Sequence, residues 1–203
     1  MAIRSFKTAS ISTGAKRSKF WDQSTVISYN SYESIATVTI GSPAANITFS
    51  SIPQTYVHLQ VRAIMRADAA GASSGMYLFI NGDSGANYSS HRIYANQSSV
   101  NYNSNAGATP PNSLGIGSGT GATSPANIFG ANLIDILDYT NANKNTTIKS
   151  VNGSEQNNAN DSYFLTNTYA WNNTAAVTSL QFTSNGTAFS TGTTFALYGL
   201  KNS

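Results

Sequence analysis

Three residue types that together can run a hydrolysis occur early in the chain: His58, Asp68 and Ser84, the last inside Gly82-Asp83-Ser84-Gly85. A serine nucleophile needs an imidazole base beside it and a carboxylate to orient that base. The spacing argues against such a set, because His and Ser stand only 26 positions apart, too few for a fold that spreads the three residues over two barrels. Asn81-Gly82 is already accounted for as a tight turn, and His58 and His91 read as surface or interface residues. Asp135 and Asp138 in LIDILDY stand three apart, on opposite faces of a strand, which is wrong for an acid and a base flanking one substrate.

Gly115-Ile116-Gly117-Ser118-Gly119-Thr120-Gly121 has the glycines of a phosphate cradle but no strand before it, no helix after it and no lysine. It reads as a flexible loop. Asp83 with Asn81 and Asn87, or Glu155 with Asp161, offer two or three oxygens where calcium takes roughly six to eight, so these are turn residues. The chain has no cysteine, which excludes disulfides, thiolate metal sites and thiol nucleophiles. No catalytic residue, cofactor or metal is expected, and the protein reads as a non-enzyme. One binding chemistry survives: Tyr77, Tyr88, Tyr94, Tyr102, Tyr163, Tyr169 and Trp171 are numerous enough for a sugar-stacking platform, the alternative being core and subunit interface.

The elements that would carry these residues are strands. Ser, Thr and Asn supply 29, 22 and 23 of the 203 residues, against 9% charged. Helices fill exposed faces with Glu, Lys, Arg and Gln, whereas Ser, Thr and Asn compete for backbone hydrogen bonds. A hydrophobic content of 40% suffices for a core. The clearest strand is Tyr56 to Met65, with Val57, Leu59, Val61, Ala63 and Met65 on one face and Tyr56, His58, Gln60 and Arg62 on the other. Other strands are expected at Ser34 to Ile40, Asn46 to Ile52, Met76 to Ile80, Tyr88 to Ala95, Asn127 to Tyr139, Thr146 to Val151, Ser162 to Trp171, Ala176 to Thr183 and Thr193 to Leu200. Asn81-Gly82 should fold Met76 to Ile80 and Tyr88 to Ala95 into a hairpin.

The fold class is therefore all-β: an antiparallel, jelly-roll-like sandwich of about 8–10 strands with an extended N-terminal arm. Its inner faces are expected to carry Val57, Leu59, Val61, Leu78, Ile80, Leu133, Leu137, Leu180, Phe182, Phe195 and Leu197. The body spans residues 23–203, with a long Gly/Ser/Pro-rich loop at 99–126 that interlocks with a neighbour or stays mobile.

Residues 1–22 form the arm. Arg4, Lys7, Lys16, Arg17 and Lys19 place five of the eleven cations ahead of the first acid, Asp22, while the rest of the chain is nearly neutral. A basic arm on a neutral body suggests an attachment segment docking on an acidic groove, with Phe20 and Trp21 inserting where the arm meets the body. The aromatics are not interleaved with Lys or Arg, so no nucleic acid is expected, and no run of about 18 apolar residues calls for a membrane. The first twelve residues hold no apolar run of a secretory signal.

Phe49 to Tyr88, with Ser51-Ile52-Pro53-Gln54-Thr55-Tyr56, His58-Leu59-Gln60-Val61-Arg62 and Leu78-Phe79-Ile80-Asn81-Gly82-Asp83, resembles a pattern of virion structural proteins of tailed bacteriophages, marine cyanophage-like ones especially. Val177-Thr178-Ser179-Leu180 and Gly192-Thr193-Thr194-Phe195-Ala196-Leu197-Tyr198-Gly199-Leu200 are similar to the closing strands of that family. The resemblance spans about residues 45–200 with gaps. It implies a non-enzymatic, β-rich particle component located in the virion and assembled in the host cytoplasm, a homo-oligomer with a trimer favoured, bound to other capsid or tail proteins. The leading expectation is a capsid decoration or cement protein held by its N-terminal arm. The alternative is a tail or fibre receptor-binding module that recognises host surface glycans.

Overall fold

The computed structural model describes residues 31–96, 98–110, 115–157 and 162–201. The arm residues Arg4, Lys7, Lys16, Arg17, Lys19, Phe20 and Trp21 lie outside them. The described residues form twelve strands and no helix: β1 Tyr32–Thr39, β2 Asn46–Phe49, β3 His58–Met65, β4 Ser73–Ile80, β5 Tyr88–Asn96, β6 Val100–Ala108, β7 Gly117–Thr120, β8 Gly130–Leu137, β9 Thr146–Ser154, β10 Tyr163–Trp171, β11 Leu180–Ser184 and β12 Thr194–Leu200. They make two antiparallel sheets packed as a sandwich. The larger runs β1-β12-β3-β8-β9-β10-β5-β6 and the smaller β2-β11-β4-β7. The first described strand pairs with the last, Tyr32 opposite Leu200.

The core lies where inward residues of the two sheets meet. Leu59 and Val61 on β3, Ile134 and Ile136 on β8, and Phe195 and Leu197 on β12 face Met76, Leu78 and Ile80 on β4 and Leu180 and Phe182 on β11, all fully buried. Phe195 sits with its ring centroid 5.0 Å from Phe182 and 5.4 Å from Phe189. This aromatic cluster joins the sheets, since buried area and tilted ring contacts both favour it.

Three of the expected inner residues are elsewhere. Leu133 and Leu137 are 37% and 39% exposed on the outer face of β8, and Val57 precedes β3 and is half-buried. Both faces of LIDILDY carry apolar residues, so hydrophobicity alone does not choose between them. Asp135 stands on the same face as Leu133 and Leu137, and keeping that carboxylate in solvent leaves Ile134 and Ile136 to face the core.

The expected hairpin of β4 and β5 does not form. Asn81 and Gly82 do adopt positive φ, 53° and 70°. The turn instead carries the chain from one sheet to the other, because β4 pairs with β11 and β7 while β5 pairs with β10 and β6. Asn81 holds the crossover by its side chain: Nδ2 donates to the Ala176 carbonyl at 2.8 Å and Oδ1 accepts the Thr178 and Ser179 N–H groups at 2.8 and 3.1 Å.

Residues 99–126 are not one long loop but contain β6 and β7. The four residues of β7, Gly-Ser-Gly-Thr, are all buried. Glycine is required there by close approach: a Cβ on Gly119 would stand 2.4 Å from the Met65 carbonyl oxygen, and one on Gly117 would stand 2.4 Å from Asn132 Oδ1. The larger sheet also bonds this segment with side chains. Asn132 Oδ1 accepts the Ser118 N–H at 2.9 Å, Ser150 Oγ donates to the Ile116 carbonyl at 2.6 Å, and Asn167 Nδ2 reaches the same carbonyl at 3.4 Å. The small, polar composition that reads as a loop is what lets a strand lie this tightly under a sheet lined with amides and hydroxyls.

Candidate functional site

Along β5 the residues facing one way are Tyr88, Ser90, Arg92, Tyr94 and Asn96, and burial falls toward the end of the strand. Register with β10 sets Asn167 opposite Arg92, Leu165 opposite Tyr94 and Tyr163 opposite Asn96, so these side chains share a face. Where that face passes β4 and β7 it forms a cleft of about 600 Å³, closed on the other side by Ser73, Gly75 and Tyr77, by Gly117 and Ser118, and by Asn185 after β11. Tyr77 occupies the face of β4 opposite Met76 and Leu78.

Most of the lining is fixed by hydrogen bonds. The Tyr163 hydroxyl donates to the Gly119 carbonyl and shares a bond with Ser118 Oγ, each at 2.6 Å, and burial pushes its pKa up. Asn185 Oδ1 accepts from Ser74 Oγ at 2.8 Å and from the Gly75 N–H at 3.1 Å. Arg92 lies against the Tyr94 ring, Cζ 5.2 Å from the centroid. With the Asn103 amide turned to donate to the Tyr102 carbonyl, its oxygen accepts from Arg92 Nη2 at 3.2 Å. Nε is shielded from solvent and has no partner, and burial lowers the pKa of the guanidinium. No carboxylate lines the cleft among the described residues.

The sequence's chemical candidates are dispersed. Nδ1 of His58 accepts the Asp138 N–H at 2.9 Å, while Asp68 accepts the Thr187 and Ala188 N–H groups at 2.7 and 2.8 Å, so neither engages the other. His91 points outward from β5. Asp135 accepts from Gln60 Nε2 at 2.8 Å, and Asp138 lies in the turn after β8, paired with Lys144. Asp83 accepts the Trp171 indole N–H, Asn87 Nδ2 and the Gly85 N–H, and Glu155 accepts from Ser162 Oγ and the Asn157 N–H. No group of three or more metal-binding side chains occurs among the described residues.

Of the seven aromatics considered for a sugar platform, Tyr77, Tyr94 and Tyr163 meet at the cleft. Tyr88, Tyr169 and Trp171 are core residues, and Tyr102 is 84% exposed on β6. Sequence reading missed Arg92. Its signal is the alternation Arg92, Tyr94, Asn96 on one face of an otherwise weakly charged strand.

A second surface stands on the outer face of the larger sheet. Ile64, Phe164 and Ile93 are 54%, 53% and 53% exposed, and with Leu133, Val151, Val100 and Tyr102 they form a band across β3, β8, β9, β10, β5 and β6. Compared with protein-family models, with curated proteins and with solved structures, the chain matches none significantly.

Proposed function

We propose that the protein is a non-enzymatic structural component of a virus particle's exterior, a capsid decoration or cement protein that assembles as a homo-oligomer and is anchored by its N-terminal arm. One observation carries the assembly half: the apolar band on the outer face of the larger sheet. The band holds one outward apolar residue on each of β3, β8, β9, β10 and β5 and two on β6, a stripe that crosses six neighbouring strands at ~4.8 Å spacing. Apolar residues scattered singly need no explanation, whereas a stripe that continues over six neighbouring strands reads as an interaction surface. A second copy of the same chain, presenting the same apolar stripe, is the occupant that matches it. The sequence resemblance supports the particle assignment, and the basic residues Arg4 to Lys19 support attachment to an acidic partner protein.

The test is sedimentation of the full chain beside a Phe164→Asp, Ile93→Asp variant. The unaltered protein should sediment as an oligomer at micromolar concentration and the variant as a folded 21 kDa monomer. A monomeric unaltered protein would overturn the assembly reading. Counting copies in purified particles addresses location: hundreds fit decoration of a head, tens or fewer a tail component. A second reading, a receptor-binding module for host glycans, is favoured by the meeting of Tyr77, Tyr94, Tyr163 and two amide side chains at the cleft.

A further inference from the structure

Among the described residues no acid meets the Arg92 guanidinium. The ion pairs of the described residues join Lys144 to Asp138 and Lys201 to Glu33, and none involves Arg92. Among the described residues the acid that touches the cleft lining is Glu155, which is engaged with Ser162 Oγ at 2.7 Å and the Asn157 N–H at 3.2 Å. A half-buried charge without a counter-ion is costly unless something compensates it. Among the described residues Arg92 meets the amide oxygen of Asn103 and the face of Tyr94. Both hold the guanidinium in place and leave its charge unneutralised.

A guanidinium is a planar donor fork matched to a carboxylate or another flat oxyanion. Around it the cleft offers tyrosine rings for an apolar sugar face and the amides of Asn96 and Asn185 for hydroxyls. Its volume of about 600 Å³ falls within the range of small-ligand sites, roughly 300–1,000 Å³. We infer that this cleft binds an acidic saccharide, with the carboxylate of a uronate-type residue on Arg92 and its ring against Tyr77 and Tyr94. This rests on the glycan-binding reading and narrows it to a charge class and a recognition residue.

The test is calorimetric titration of the full-length protein with oligosaccharides of hyaluronan, alginate and polygalacturonate, the methyl esters of the same fragments, and neutral chitotetraose. At least one uronate fragment should bind, and its methyl ester should bind about tenfold more weakly or worse, since esterification removes the charge-assisted fork. Arg92→Met should bind acid and ester equally, and Arg92→Lys should recover only part of the preference. Should Arg92→Met fail to fold by circular dichroism, the acid and ester comparison on the unaltered chain decides alone. Equal binding of acid, ester and chitotetraose would overturn the inference and leave the glycan reading standing. Binding of no saccharide in the panel would overturn both.

Discussion

Trp171 donates its indole N–H to Asp83 Oδ2 at 2.7 Å, tying the end of β10 to the turn that carries the chain between sheets. The same turn is held by Tyr88, whose hydroxyl accepts the Ile80 N–H at 3.1 Å and donates to the Asp83 carbonyl at 2.9 Å. A buried indole and a buried phenol thus satisfy their polar atoms on one tight loop, as large aromatics in cores generally do.

Trp171→Phe should cost about 1–3 kcal/mol by loss of the charge-assisted bond and part of the ring volume, read by urea denaturation. Burial alone would raise the Asp83 pKa, but the bonds from Trp171, Asn87 and Gly85 outweigh it and hold it below the ordinary 3.8. A lowered carboxylate stabilises the fold fully above its unfolded value, and the contribution is lost as pH falls through the folded one. Asp83→Asn should therefore be less stable at neutral pH, with the gap closing below pH 3.8. A gap that stays constant down to pH 2 would remove Asp83 from the acid sensitivity.

The two faces of β8 give a second prediction. Ile134→Ala should cost about 2–5 kcal/mol through lost burial and a cavity, and Leu59→Ala the same. Leu133→Ala and His58→Ala should cost less than about 1 kcal/mol in the isolated protein. Thermal unfolding with Leu133→Ala the more damaging of the β8 pair would reverse the register of that strand.

Gly119→Ala places a methyl group against the Met65 carbonyl, and separating the sheets to admit it should cost about 1–3 kcal/mol or more. Gly41, with nothing within 4 Å of a built Cβ, is the control, and Gly41→Ala should be nearly neutral. Equal melting temperatures for the two variants would mean that β7 is not packed as described. By the same reasoning, replacing 99–126 with a short linker should abolish folding, since it deletes two strands.

Arg66 spreads its guanidinium over four backbone carbonyls: Nη1 donates to Pro125 at 2.8 Å and Ile128 at 3.3 Å, and Nη2 to Ser124 at 2.9 Å and Ala122 at 3.4 Å. Arg66→Ala should raise amide hydrogen exchange in residues 121–129 by about tenfold or more while exchange in β3 and β12 changes little. Unchanged exchange in that segment would show that its other contacts suffice.

β3 was legible because its alternation is clean and its polar face is unambiguous. All ten expected strands are present, since β-branched and aromatic runs between turn clusters report local structure well. What escaped has a physical reason in each case. β7 carries no side chains large enough to produce a pattern, and the case for it rests on partners from other strands, such as Asn132 on β8 and Met65, far away in sequence, on β3. The destination of β4 and β5 depends on which sheet each joins, which the Asn81-Gly82 turn does not encode. The cleft escaped because Arg92, Tyr77 and Tyr163 come from three separated strands, and only Arg92, Tyr94 and Asn96 share a local spacing.

The placement of β12 between β1 and β3 fixes an order of events during synthesis. Until β12 has left the ribosome, β1 and the adjoining margin of β3 face one another across a missing strand, each with unpaired backbone groups, and the core lacks Phe195 and Leu197. Nascent chains must hold that open seam until β12 emerges, a state prone to edge-to-edge association. A premature stop after residue 193 would leave eleven of the twelve described strands made and the larger sheet still split in two.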